Sequence, residues 1–243
     1  MHRHIKFHLP GVILYVFHGG FVCAFSFLMF DKCFPGFFTA NLVLFTYDVI
    51  TIRGLDPAAL LKLYAVLLAF VGGGIGSVVM NKYRKRNLLP YQSLWRMAWI
   101  ETICMAVFAI GAAIYQYNGA PKSDWLVFLL ASGVFFSGGW QFQAVSSWND
   151  VPFRSNMMSG NLHALAASIF NAVWLRFTGR HRETPEEFHA ELYRGRIILG
   201  FALVFMVGAA VCFLVAPALQ FYCGAINVLT CGTATLCGKL LDR

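Results

Sequence analysis

Four titratable residues stand where ionisation is costly. His18, Asp48, Glu101 and His163 all fall within apolar runs of the 243-residue chain. Glu101 is nine residues past Gln92 and well inside its run. A carboxyl there must be neutral, paired or facing water. Asp48 closes Phe45-Thr46-Tyr47-Asp48, near the end of a shorter run, so it either reaches interfacial water or couples an ion. His18 sits beside Gly19 and Gly20, and His163 follows Asn161 by two. An imidazole changes charge near neutral pH, so this pair suggests a proton relay. The plainer reading is a hydrogen-bonded packing role. Together the four are candidates for proton or ion coupling.

A second set could bind a solute. Thr39-Ala40-Asn41 and Ser159-Gly160-Asn161 are alike and lie about half a chain apart. If each opens a half-helix, its free N–H groups and positive dipole end suit an anionic or carbonyl-bearing group. Thr39, Asn41, Ser159 and Asn161 are therefore candidate binding residues, with Gln141 and Gln143 as a polar lining. Capping and packing is the competing role. Gly72-Gly73-Gly74 is no phosphate loop, because no Lys-Ser/Thr follows; Gly72 and Gly76 read as a close-packing face. No HExxH or GxSxG occurs, and the seven cysteines form no CxxC pair. No catalytic residue, metal site, disulfide framework or cofactor is expected, and the chain is not read as an enzyme.

These residues must be held by membrane helices. The chain is 58% hydrophobic and only 12% charged, against about 25% charge in a typical soluble domain. Its mean hydropathy is +0.64. A helix crossing ~30 Å of hydrocarbon needs roughly 20 apolar residues. Six runs qualify: 9–30, 58–80, 93–116, 125–147, 196–218 and 220–240. Two others, 36–51 and 155–175, are shorter or more polar. Trp95, Trp99, Tyr117 and Trp125 suit interfacial anchoring. A polar insert occupies 178–194, where Thr184-Pro185-Glu186-Glu187 predicts the start of a short surface helix. The net charge of +8 belongs to short loops beside apolar runs, and no nucleic acid is expected as partner.

The chain repeats itself, about 9–118 against 125–240, within a single membrane domain, 1–243. Gly19/Gly139, Ala24/Ala144, Ser26/Ser146, Asn41/Asn161 and Leu42/Leu162 match at an offset of 120, and Val71/Val207 and Gly72/Gly208 at 136. With the start cytoplasmic and 36–51 and 155–175 entering and leaving on one side, the 19 basic residues divide 15 inside to 4 outside, as the positive-inside rule favours. Each half then crosses three times, which inverts one half relative to the other.

Gly20-Phe21-Val22-Cys23-Ala24, Thr39-Ala40-Asn41, Gly139-Trp140-Gln141-Phe142-Gln143-Ala144 and Ser159-Gly160-Asn161 resemble the motifs of the YoaK-like family of uncharacterised, multi-span bacterial membrane proteins. Cys23 stands where that family's pattern has Asp, and Ala40 where it has Gly. The resemblance implies a bacterial inner-membrane protein and supplies no substrate.

The expected fold is an all-α integral membrane protein: six transmembrane helices plus two broken or re-entrant segments (or eight short spans) in two pseudo-symmetric, inverted halves. The expected function is transport or channelling of a small polar or anionic solute, proton-coupled, at a midplane site between the repeats. The alternative is a non-transporting sensor or assembly partner whose polar residues only pack helices. The expected location is the bacterial inner membrane, multi-pass, with a cytoplasmic N-terminus. The partners are the lipid bilayer and the solute, and a homo-oligomer is compatible with the sequence.

Overall fold

The structure is a computed structural model that describes residues 2–52, 55–85, 90–119, 125–144, 147–148, 151–152 and 158–240. Among them the chain forms α1 (His2–Met29), α2 (Phe38–Ile52), α3 (Pro57–Lys85), α4 (Pro90–Tyr117), α5 (Trp125–Ala144), α6 (Met158–Phe177), α7 (Pro185–Leu219) and α8 (Gly224–Leu240). A two-residue ladder, Ser147–Trp148 against Val151–Pro152, follows α5. Among the described residues, five stretches are long and apolar enough to cross a membrane: Leu9–Met29, Pro57–Tyr83, Trp95–Tyr117, Trp125–Gln143 and Pro185–Cys237. The last contains both α7 and most of α8.

Polarity is distributed inside out. Val43, Ile50, Phe70, Val78, Val107, Phe170, Trp174 and Leu214 are exposed, whereas His18, Ser26, Asn41, Lys62, Glu101, Gln141 and Asn227 are buried. Water would penalise so much apolar surface, and hydrocarbon would not.

Side-chain and backbone contacts fix the helix directions. Tyr15 and His18 meet Glu101, and Phe25 meets Phe108, so α1 and α4 run together. Trp140 Nε1 donates to the Met97 carbonyl and Gly111 faces Leu130, so α5 opposes α4. Tyr64 bonds Ser132 and Gly76 packs on Gln143, so α3 runs with α5. Thr102 contacts Cys231 and Thr235 while Ala109 faces Gly224, so α8 opposes α4. Phe201 belongs to the cluster of Val12 and Tyr15, and Cys212 and Ala216 to that of Phe25 and Met29, so α7 runs with α1.

Consequently the end of α1 and the start of α3 lie on one side, although α2 stands between them. The segment joining α1 to α2 explains this. It turns back through Asp31 and Lys32, both at positive φ, and sets Pro35 and Gly36 against Gly138. Gly138 is far along α5, about 20 Å from that helix's start at 1.5 Å per residue. Likewise α2, at 15 residues, extends only about 22 Å.

Glycines bring the helix pairs into backbone contact. A Cβ at Gly72 would run into the Phe136 carbonyl and one at Gly139 into that of Ala69, joining α3 to α5. Gly20 meets the Phe205 carbonyl and Gly208 that of Phe17, joining α1 to α7. An aromatic cluster of Phe25, Phe30, Phe108 and Phe221 fills one end of the core.

The polar insert departs from expectation. The helix does start at Pro185 with Glu186 and Glu187 in its first turn, but it continues unbroken for 35 residues to Leu219. No proline intervenes before Pro217, and buried Gly195 lets it lie on Leu165 and Ser168 of α6. Nor does Thr184 cap it, since its hydroxyl donates back to the Arg180 carbonyl.

Candidate functional site

The strongest concentration of buried polar chemistry among the described residues lies where α1, α4 and α8 meet. Helical spacing places Tyr15 and His18 one turn apart on α1, and both are fully buried. Glu101 comes from α4 and is 1% exposed. One carboxylate oxygen, Oε1, is 3.1 Å from His18 Nε2. The other, Oε2, accepts a hydrogen bond from the Tyr15 hydroxyl. On the far side of the imidazole, Nδ1 is 3.2 Å from Thr230 Oγ1 on α8. The Thr230 hydroxyl hydrogen goes to the Ile226 carbonyl at 2.9 Å, so its oxygen accepts from Nδ1–H. Nε2 and Oε1 thus face each other as a hydrogen-bonded pair of titratable groups, whose proton can lie on either atom. In a low-dielectric interior either form is stable only because every atom of the group is partnered.

Two further layers surround this pair. Gln141 Nε2 donates to the Tyr15 carbonyl at 3.4 Å. Cys231 of α8 donates its thiol to the Ala98 carbonyl at 3.6 Å, and Thr102 Oγ1 is 3.3 Å from the sulfur. One ligand atom each from His18, Glu101 and Cys231 lie within 4.8 Å of one another.

The remaining candidates are dispersed. Asn41 is buried, but its amide is engaged by its own loop: Oδ1 accepts from Phe34 N–H at 2.9 Å and Nδ2 donates to the Phe34 carbonyl at 2.7 Å. Thr39 is exposed and lines an open groove of about 320 Å³ with Leu42, Val43 and Thr46. Asn161 is buried near the start of α6. Ser159 belongs to α6, with its side chain outside the described residues. His163 is exposed on α6, so His18 is partnered by Glu101 and Thr230. Half-buried Gln143 packs on Gly76. Asp48 forms an ion pair with Lys62 at 2.6 Å, and Lys62 Nζ also donates to the Ala58 carbonyl. Lys62 lies inside the apolar run 58–80 and is buried.

Sequence reasoning did not single out Tyr15, Thr230, Thr102 or Cys231. The spacing of Tyr15 and His18 on one face was the only signal available. Thr230 and Cys231 lie more than a hundred residues from their partners.

Buried polar groups at a helix junction, wrapped in an apolar exterior, define a multi-pass helical membrane protein. A family model described as "Protein of unknown function (DUF1275)" matches residues 11–237, and the chain belongs to that family. The YoaK-like resemblance agrees with this assignment. No curated protein and no solved structure matches the chain.

Proposed function

We propose that the chain is a secondary transporter of a small polar solute or ion, coupled to protons through His18 and Glu101. The observation that carries this reading is the buried, hydrogen-bonded pair that those two residues form at the junction of α1, α4 and α8. A titratable pair inside a membrane helix bundle marks an ion or proton path by default. Here Glu101 comes from the first half of the chain and Thr230 from the second, so relative movement of the halves would change what the pair contacts.

Packing supports the inverted arrangement. Phe17 and Phe136, like Gly20 and Gly139, lie 119 residues apart, while Ala69 and Phe205, like Gly72 and Gly208, lie 136 apart. Exchanging the halves therefore turns the α3–α5 contact into the α7–α1 contact. In the α1/α5 register this pairs Gly20, rather than Gly19, with Gly139. α4 and α8 pair with each other and run oppositely, as a two-fold axis in the membrane plane requires. In this reading six helices cross, while α2 and α6 enter and return. The location is a bacterial inner membrane with the N-terminus cytoplasmic. The solute contact moves from the Asn41/Asn161 pair to the junction, because Phe34 already occupies the Asn41 amide.

A scaffold role is the second reading, favoured by the same Asn41 latch and by the close aromatic packing of Phe25, Phe30, Phe108 and Phe221. Proteoliposomes holding a trapped pH dye separate the two. The transporter reading expects proton flux under an imposed pH gradient, and expects Glu101→Gln to reduce it to background while the protein remains monodisperse. Equal flux in liposomes with wild type, with Glu101→Gln and with no protein would leave the scaffold reading.

A further inference from the structure

We infer that His18, Glu101 and Cys231 form a binding site for a divalent transition-metal ion of the zinc type, which exchanges for two protons. This deepens the transporter reading and rests on it for the metal's role as cargo; the site itself stands on geometry.

The donor set is the first argument. An imidazole nitrogen, a carboxylate oxygen and a sulfur suit borderline ions such as Zn²⁺ or Co²⁺ and not Mg²⁺ or Ca²⁺, which require oxygen ligands. Ordinary bond lengths of about 2.0–2.3 Å place tetrahedral ligand atoms roughly 3.3–3.6 Å apart. His18 Nε2 and Glu101 Oε1 are at 3.1 Å, and all three ligand atoms lie within 4.8 Å. Small rotamer changes close that gap.

Charge is the second argument. A bare divalent ion is excluded from hydrocarbon, as is an uncompensated pair of anions. With a divalent ion, one carboxylate and one thiolate sum to zero, and the imidazole adds no charge. A monovalent ion would leave a net negative site.

The outer shell is the third. Metal-bound histidines are oriented by a hydrogen bond from the other ring nitrogen, and bound carboxylates are themselves hydrogen-bonded. Here Nδ1–H donates to Thr230, Tyr15 donates to Glu101 Oε2, and the Thr102 hydroxyl, now on the Ala98 carbonyl at 2.8 Å, lies 3.3 Å from the Cys231 sulfur and can turn to a thiolate there. Asn227, one turn before Cys231 on α8, is fully buried, and neither end of its amide has a partner among the described residues. A buried polar group left over beside such a cluster is where a fourth ligand or bound water is expected.

The proton balance follows. An electrically neutral metal-free site holds two protons, one on the Cys231 sulfur and one between Nε2 and Oε1, because uncompensated charge is excluded from the apolar interior. Bonds from the metal to nitrogen, oxygen and sulfur replace both, so each divalent ion bound releases two protons to solvent and no electron moves.

The test uses the purified full-length chain in detergent, titrated with Co²⁺ in weakly buffered solution containing a pH dye. The expected result is one cobalt per chain, two protons released per cobalt, and a sulfur-to-cobalt charge-transfer band. Cys231→Ser should remove the band, Zn²⁺ should displace cobalt, and Mg²⁺ should not. A variant keeping Cys231 as its sole cysteine should retain the band, so the test survives if Cys231→Ser does not fold. Thr230→Val should weaken affinity about 10–100-fold. Absence of saturable binding in wild type, or a band that persists in Cys231→Ser, overturns the site. Glu101-dependent proton flux in a protein that binds no cobalt defeats this inference and leaves the transporter reading. Cys231-dependent cobalt binding without flux does the reverse.

Discussion

At the scale of residues, the decisive feature is that the charge-bearing atoms of the junction satisfy one another. Truncating one of them should therefore cost more than losing a contact. Glu101→Ala leaves His18 and Tyr15 buried without an acceptor, and should destabilise the protein by about 3–5 kcal/mol. Replacing both Glu101 and His18 with Leu should recover the share of that loss due to His18, because an apolar pair of similar volume needs no partner. Unfolding in mixed detergent–SDS micelles, followed by circular dichroism, gives the double-mutant cycle. Two additive single-residue losses would show that the pair is not coupled. His18 and Glu101 each stood out in the sequence as expensive groups in apolar runs. That they meet could not be read there, because 83 residues separate them and nothing local specifies which helices touch. Cys231 was less legible still. A cysteine in an apolar run reads as a small hydrophobe until a histidine and a carboxylate are placed beside it.

At the scale of elements, small residues and one amide set the geometry. Gly72 admits the backbone of α5, whereas a Cβ at Gly74 would meet nothing within 4 Å. Gly72→Ala should cost about 1–3 kcal/mol through overpacking, and Gly74→Ala should be neutral or stabilising by up to about 1 kcal/mol through helix propensity. The same micelle titration distinguishes them, and equal effects would contradict the packing described. Asn41 fastens the inward segment to the start of α2. Asn41→Ala gives up both bonds to Phe34 and should cost roughly 1–3 kcal/mol. It should also expose Cys33, now fully buried, to a maleimide in the folded protein; unchanged labelling would argue against a latch. The apolar runs were legible as elements because twenty-residue hydrophobicity is a strong local signal. The role of Asn41 was not, since a cap on its own loop and a ligand for a solute need the same amide. The junction of the polar insert with the run 196–218 differs from expectation for another reason. Glu186 to Arg196 looks like surface sequence, yet nothing in it stops a helix that is already under way.

At the scale of the whole molecule, the glycine contacts between α3 and α5 have counterparts between α1 and α7. The proposed repeat rests on sparse identities at offsets of 120 and 136 and on glycines that meet backbone across helix pairs. Inversion makes a site between the halves reachable from either face in turn, so opposite orientation of the halves is the claim on which the functional reading rests. Its most direct measurement is side-specific cysteine labelling in intact vesicles, at exposed positions on a background without other cysteines. Lys32→Cys and Leu55→Cys, on either side of α2, should label from the same face as Asn118→Cys. Lys82→Cys and Arg180→Cys should label from the opposite face. Labelling of Lys32→Cys and Leu55→Cys from opposite faces would make α2 a full crossing and contradict the inverted architecture.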